Sequence, residues 1–319
     1  MFYGLDPESG EPIWTYDITL DGEQTSFHGD MLITDELVII GTDAGEGHVY
    51  AFEKDSGSVR WMFPAGRGVS TDIVRQGPHL FAVTLDDHII SLELDSGELR
   101  WSVETGADPP ERFTMGSTPA VLGSHVYVGG LDGAVRCLSA DNGTPVWKTP
   151  LGEEVVTSTL LVDDEIIVGT ADARFHRMRA TDGEVVGSVE VSQRARSHLI
   201  RLPNGLFTAF LGDHGWEGEL VAFDAALGQR WRVEAPDGST WVSARPFVVG
   251  PWVIAGSQTG HIYAIDCGDG TVAWSHAVNE DLDWSGDGVR VFGLHDSTLL
   301  VGTISGTMYA FDLDVPQKK

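Results

Sequence analysis

The chain has 319 residues, 42% of them hydrophobic, with 39 glycines and 10 tryptophans. Its formal charge is −28, from 48 acidic and 20 basic residues, and a field of that sign opposes nucleic acid and anionic membrane surfaces as partners. No apolar run reaches the length of about 18 residues that a membrane-spanning helix requires, so no membrane insertion is expected.

Abundant glycine with many aromatics predicts short strands joined by tight turns. One phrase recurs along the chain: an apolar strand, a glycine turn, and an aromatic four residues after the glycine. It runs from Phe2-Tyr3-Gly4-Leu5-Asp6 to Gly10 and Trp14, then from Val49 to Gly57 and Trp61. It returns from Ile89 to Gly97 and Trp101, and from Val135 to Gly143 and Trp147. A weaker copy leads from Phe175 to Gly183, where Gly187 stands in the tryptophan's place. The next, from Leu220 to Gly228 and Trp231, is one residue short. The last full copy runs from Ile262 to Gly270 and Trp274, and a half copy, Met308–Asp312, closes the series.

The spacing, about 40 to 47 residues, suits four short strands A to D and their turns, which is one blade of a propeller. In the third unit, strand A is expected near Ser117–Leu122, B at Val126–Gly130, C at Ala134–Ser139 and D at Pro145–Thr149. Units begin near Phe27, Gly68, Ser117, Thr157, Ser197, Val242 and Asp287, which makes seven. The fold class expected is all-β: one seven-bladed β-propeller of four-stranded antiparallel blades over residues 1–319, with eight blades as the alternative. A spare strand D, Glu11–Ile18, is expected to pair with Met308–Asp312 and close the ring. Phe2–Asp6 duplicates strand C; it is an overhang, part of a shared eighth blade, or the sign of a reading that starts inside a repeat. Each strand-D tryptophan is expected to pack between neighbouring blades, and its absence at Gly187 to loosen the fourth.

Val126-Tyr127-Val128-Gly129-Gly130-Leu131-Asp132-Gly133, followed by Leu138 to Gly143 and Trp147, resembles the repeat of PQQ-like β-propellers. The resemblance covers nearly the whole chain and implies fold more strongly than function. One branch of that family holds pyrroloquinoline quinone (PQQ) and Ca²⁺, with adjacent cysteines against the quinone. Cys137 and Cys267 are 130 residues apart in sequence, so the better match is the cofactor-free branch, which includes outer-membrane assembly lipoproteins. The resemblance therefore implies a non-catalytic scaffold that presents loops to an unidentified protein partner, as a monomer without cofactor. A small PQQ-dependent dehydrogenase with Ca²⁺, or an anion-binding propeller, is the alternative.

No nucleophile elbow, HExxH or phosphate-binding loop occurs, so no catalytic residue is assigned. In a propeller the D-to-A connections and B-to-C turns meet on one face. The D-to-A connections here hold Arg67, Arg112, Arg194, Arg196 and Arg245, with His198 nearby. Arginine suits bidentate capture of carboxylate or phosphate, while pairing with acidic neighbours is the simpler reading. Trp241 and Trp284 share these connections, and Trp216 lies on the longest B-to-C insertion; all three are candidate partner contacts. Asp281, Asp283, Ser285 and Asp287 match the opening of a Ca²⁺ loop, but the twelfth position is Phe292 and lacks the bidentate carboxylate.

Only four of the basic residues are lysine (Lys54, Lys148, Lys318, Lys319). That balance is expected of a halophilic protein, whose repulsion molar salt screens. The first residues carry no basic and apolar leader, so the chain as written is expected in the cytoplasm, or outside it if the gene start is truncated.

Overall fold

The computed structural model describes residues 1–22, 27, 29–43, 47–69, 71–105, 117–195, 198–212, 218–241, 245–278 and 288–312. Apart from one 3-10 turn, Ile18–Asp21, the regular structure within them is β. A hairpin comes first, β1 (Phe2–Leu5) with β2 (Pro12–Tyr16). Sheet 1 is β3 (Leu32–Ile33), β4 (Leu37–Gly41), β5 (His48–Glu53) and β6 (Val59–Pro64). Sheet 2 is β7 (Val74–Gln76), β8 (His79–Val83), β9 (His88–Glu93) and β10 (Leu99–Glu104). Sheet 3 is β11 (Ala120–Leu122), β12 (His125–Gly129), β13 (Ala134–Ser139) and β14 (Pro145–Pro150). Sheet 4 is β15 (Leu160–Val162), β16 (Glu165–Thr170), β17 (Arg174–Arg179) and β18 (Val185–Glu190). Sheet 5 is β19 (Ile200–Arg201), β20 (Phe207–Leu211), β21 (Glu219–Phe223) and β22 (Gln229–Glu234). Sheet 6 is β23 (Phe247–Val249), β24 (Trp252–Gly256), β25 (His261–Asp266) and β26 (Val272–Ala277), and sheet 7 is β27 (Val289–His295), β28 (Thr298–Thr303) and β29 (Met308–Asp312).

Strand order within each sheet follows the chain, so every sheet is an up-and-down meander. Seven such sheets in succession make the fold a seven-bladed β-propeller, as the repeat predicts. The third unit reproduces its expected strands to within a residue or so, apart from a shorter strand A.

The seam differs from the expectation. The strand within Glu11–Ile18, β2, takes β1 as its partner, with Phe2 opposite Tyr16 and Gly4 opposite Trp14. Among the described residues Met308–Asp312 pairs with β28. The local pairing has the lower closure cost, because a turn of a few residues joins β1 to β2 while nearly the whole chain separates β2 from β29. That turn is held by Asp6, whose carboxylate accepts the Ser9 amide at 2.8 Å and the Ser9 hydroxyl at 2.9 Å.

The chain falls into two compact units, Met1–Thr170 with Met178–Val185, and Ala171–Arg177 with Val186–Lys319, so the boundary runs through sheet 4. In both, strands B and C carry the core: β4 and β24 are buried at every residue, whereas strand D alternates, as β10 does. Strands packed on both faces need continuous apolar runs, and Leu37-Val38-Ile39-Ile40 and Trp252-Val253-Ile254-Ala255 supply them.

Among the described residues, five strand-D tryptophans each join one sheet to the next. In the first unit the indole N–H of Trp14 donates to the Lys54 carbonyl at 2.9 Å, and that of Trp61 to Leu94 at 2.9 Å. Trp101 reaches Ala140 and Trp147 reaches Ala180, both at 3.0 Å. In the second unit Trp231 reaches Cys267 at 3.0 Å. The acceptor is each time the residue just after the sheet's strand C. A few residues on, the turn glycine lies under the ring: a Cβ on Gly57, Gly97, Gly143, Gly183 or Gly270 would stand 2.3 to 2.9 Å from the indole. These glycines also have φ between 67 and 74°, so the position demands glycine on two counts.

Sheet 4 lacks its tryptophan, and Arg177 of β17 takes over the bond. Its guanidinium donates to the Ala225 carbonyl at 3.2 Å. Ala225 corresponds in sheet 5 to Cys267 in sheet 6. Arg100 shows the same reach, donating to the Ala140 carbonyl at 3.1 Å beside Trp101. The loosening expected at Gly187 is thus offset by a charge-assisted hydrogen bond. The C-to-D turn that follows is also altered: Leu227, buried, holds the left-handed position at φ 68° that the other turns give to glycine.

Replacing Trp101 by Phe keeps most of the apolar area and leaves the Ala140 carbonyl short of its indole donor; the expected loss is about 1–3 kcal/mol in urea unfolding. Arg177→Met, which keeps the stem and drops the guanidinium, is expected to cost a similar about 1–3 kcal/mol. No loss for Arg177→Met would show that the Ala225 bond carries no weight.

Candidate functional site at the loop end of the blades

In both units D-to-A connections are tied by backbone bonds to B-to-C turns or to the end of the strand B before them. In the first unit, Val69 N–H donates to the Thr42 carbonyl at 2.9 Å and Leu85 N–H to Gly68 at 2.9 Å. Val155 N–H donates to Gly130 at 3.2 Å and Val156 N–H to Gly169 at 2.9 Å. The second unit repeats the scheme: Gly212 N–H to Arg194, Gln258 N–H to Thr240, Val289 N–H to Ser257 and Ile304 N–H to Gly288, all between 2.9 and 3.2 Å. Val69, Val155 and Val289 are fully buried, each pressed on the glycine that ends a strand B. A Cβ on Gly41, Gly129 or Gly256 would stand 2.2 to 2.6 Å from the corresponding valine. The loops that carry the candidate residues therefore rest on a close-packed base.

On this base Arg67 is exposed, in the connection after β6. Arg194, His198 and Arg245 are half-buried on connections of the second unit, each already engaged with a neighbour. Trp241 lies in the same connection as Arg245 but belongs to the core. It is 7% exposed, its indole donates to the Val233 carbonyl at 3.1 Å, and Tyr263 packs edge-on against its ring at 5.5 Å. An apolar ring beside the end of strand D finds a pocket below the loop, so this tryptophan serves packing. Arg112, Arg196, Trp216, Trp284 and the Ca²⁺ candidates Asp281, Asp283, Ser285 and Asp287 lie outside the described residues. Among the described residues no three His, Cys, Asp or Glu side chains gather as a metal set.

The cysteines do not fit a quinone site of the kind described for the cofactor-holding branch. Each is free and buried in the core of its own sheet. Burial pushes the Cys137 thiol up to about 11, away from the thiolate that redox chemistry requires.

The B-to-C turns also hold polar networks. In sheet 3, Asp132 accepts from both ends of the Arg136 guanidinium at 2.9 and 2.5 Å and from the Lys148 ammonium at 2.9 Å. Arg136 is buried and also donates to the Thr105 carbonyl at 2.9 Å. Burial alone would raise the Asp132 carboxyl, but hydrogen bonds from Arg136 and Lys148 outweigh it and hold the group below its usual range. In sheet 4, Arg174 lies 3.3 Å from the equivalent Asp172. In sheet 6 the carboxylate comes from the connection instead: Asp237 accepts from the hydroxyls of Ser239 and Ser257 at 2.7 Å and from that of Thr259, with His261 Nδ1 at 3.4 Å. The sequence signal for sheet 3 is an arginine within an otherwise apolar strand C, four residues after an aspartate in the preceding turn.

Comparison with known proteins places the chain. A family model described as outer membrane protein assembly factor BamB matches residues 2–130, 111–229 and 206–315. Outer membrane protein assembly factor BamB of Yersinia pestis is 24% identical over 179 residues, 53% of this chain and 46% of that protein. The BamB of Bordetella pertussis is 26% identical over 176 residues, 51% of this chain and 42% of that protein. The matched stretch thus spans less than half the length of either relative. The crystal structure of BamB from Moraxella catarrhalis superposes with a TM-score of 0.67 at 18% identity, covering 92% of this chain and 84% of that one. The computationally designed protein Ika8 superposes at 0.61 with 12% identity, covering 92% and 98%. At such identities the superpositions speak for the fold.

The Asp237 network predicts an acid-sensitive contribution to stability. Burial would raise this carboxyl, but hydrogen bonds from Thr259, Ser239 and Ser257 win and hold it at about 2. A group depressed in the folded state stabilises above its unfolded pKa of about 3.9 and loses that contribution as pH falls through the folded value. The wild-type advantage over Asp237→Asn is therefore expected to be about 1–2 kcal/mol at pH 6 and to shrink between about pH 4 and pH 2 in urea titrations. A pH-independent difference would contradict it.

Proposed function

The chain belongs to the family of the outer membrane protein assembly factor BamB, and from that premise we propose that it is a non-catalytic binding module whose D-to-A connections and B-to-C turns receive a protein partner. The observation that carries the reading is the bonding of connection to turn in both units, which holds the loop end ready for docking without reordering. The turn carboxylates Asp132 and Asp172 are neutralised from within by Arg136, Lys148 and Arg174. Such pairs stiffen a surface and offer no poised acid or base. Arg194 and Arg245 are already engaged, which favours a partner surface over an anion pocket built from the rim arginines. The relatives' part in assembly, as their name states it, points the same way: the ligand is a protein. With a charge of −28, the chain draws basic partners by long-range attraction. No cofactor enters this reading.

Photo-crosslinking residues placed at Arg67 and Gln258, on a D-to-A connection of the first unit and a B-to-C turn of the second, are each expected to capture a protein in cells of the source organism. Those placed at Ser56 and Asp269, in C-to-D turns at the opposite strand ends, are expected to capture none. The reverse pattern, identified by mass spectrometry, would overturn the proposal.

A further inference from the structure

Sheets 2 and 3 are copies whose residues correspond one to one around the B-to-C turn. Ala82 pairs with Ile90 as Val128 pairs with Arg136, and Ser102 pairs with Ile90 as Lys148 pairs with Arg136. Thr84 N–H bonds the His88 carbonyl as Gly130 N–H bonds that of Ala134, which sets Asp86 in the place of Asp132. The wall from the preceding sheet corresponds too: Phe63 and Ala65 stand where Val103 and Thr105 stand one repeat later.

In sheet 3 this space is filled from within. The Arg136 guanidinium lies between the Asp132 carboxylate and the Thr105 carbonyl, and Lys148 closes over it. In sheet 2 both cations are missing, replaced by Ile90 and Ser102, and what remains is a cleft of about 170 Å³. Phe63, Pro64, Ile90 and Leu99 give it apolar walls, and Asp86 and His88 stand at its polar end. The Asp86 carboxylate accepts the Thr84 hydroxyl at 2.5 Å through Oδ1, while among the described residues Oδ2 faces His88 Nδ1, at 3.5 Å. Asp132 and Asp172 each hold an arginine of the chain, whereas among the described residues Asp86 holds none. Arg67 is near in sequence to Gly66 at the cleft's edge, yet it is exposed and forms no ion pair with a described residue.

We propose that the cleft between β6 and β9–β10 receives an arginine side chain from the partner protein, seated where Arg136 sits one repeat further on. The apolar walls take the methylene stem and the Asp86 carboxylate takes the guanidinium, the pairing of a planar fork with a carboxylate that arginine makes best. The chain's own next repeat is thus the template for the complex, and the acidic surface draws the cationic segment in. This inference rests on the reading of the chain as a protein-binding propeller and assigns one contact on its loop end.

The test titrates the intact protein with the tripeptide acetyl-Gly-Arg-Gly-amide and follows the backbone amide shifts of Thr84, Asp86 and His88 by NMR. Saturable shifts confined to the cleft are expected, with binding about tenfold weaker for the same peptide carrying citrulline, which keeps the shape and loses the charge. Asp86→Asn is expected to lose the binding. Ser102→Lys, an exposed change that copies Lys148, is expected to close the cleft and lose it as well. Equal binding of the citrulline peptide, undiminished binding by Ser102→Lys, shifts centred elsewhere, or no saturable shift in the parent would each overturn the proposal. Binding that emerges only in Arg67→Ala would overturn it too, by showing that the chain fills its own cleft. Failure here with the Arg67 and Gln258 crosslinks intact would remove the arginine cleft alone. Loss of those crosslinks with cleft binding intact would remove the broader loop-end reading alone.

Discussion

The indole of strand D, hydrogen-bonded to the carbonyl that follows strand C of the next sheet, is the contact on which the packing of successive blades depends. Among the described residues five tryptophans make it, at 2.9 to 3.0 Å. The bond is directional and the ring is large, so one side chain both fills the space between two sheets and fixes how far one stands along the other. The facing glycine follows from the same demand. Its left-handed backbone makes the turn, and the missing Cβ leaves room for the ring. Tryptophan and glycine recur together because neither position works without the other.

The exception in sheet 4 shows that the carbonyl, rather than the tryptophan, is the fixed requirement. With Gly187 in strand D, Arg177 reaches across from strand C and donates to Ala225. Once no indole lies over the following turn, a side chain is tolerated there, and Leu227 occupies the left-handed position. A buried carbonyl without a donor costs more than the contact that replaces it, so a repeat that loses one donor keeps another. The same logic runs through the B-to-C turns. Where a turn carboxylate is enclosed, as Asp132 is, the chain brings its own cation; where the cation is missing, as beside Asp86, a cleft is left.

Most of the architecture was legible because a period of about 40 residues repeated a turn and a tryptophan whose physical roles are local. The strands of the third unit, the blade count and the interblade place of Trp61, Trp101 and Trp147 all follow from that period. The seam was not legible: the sequence marks Phe2–Asp6 and Met308–Asp312 as equal claimants for one partner, and only the short turn held by Asp6 decides for β1. The candidate site was legible in outline only. Loop position pointed to Arg67, Arg194 and Arg245, but burial decides what a loop residue does, and Trp241 lies in the core. The Arg177 bond and the Asp86 cleft escaped a reading one repeat at a time. Each exists because one copy departs from its neighbours at a position whose meaning comes from cross-strand register.

The most direct measurement of the central contact is native-state hydrogen exchange of the tryptophan indole N–H groups in the intact protein. The indoles of Trp61, Trp101, Trp147 and Trp231 are expected to exchange as slowly as the amides of the strand-C residues they pack against, because opening them requires parting two sheets. Exchange of those four at the rate of an unfolded chain, while the strand amides stay protected, would show that the indole–carbonyl bonds do not hold the blades together.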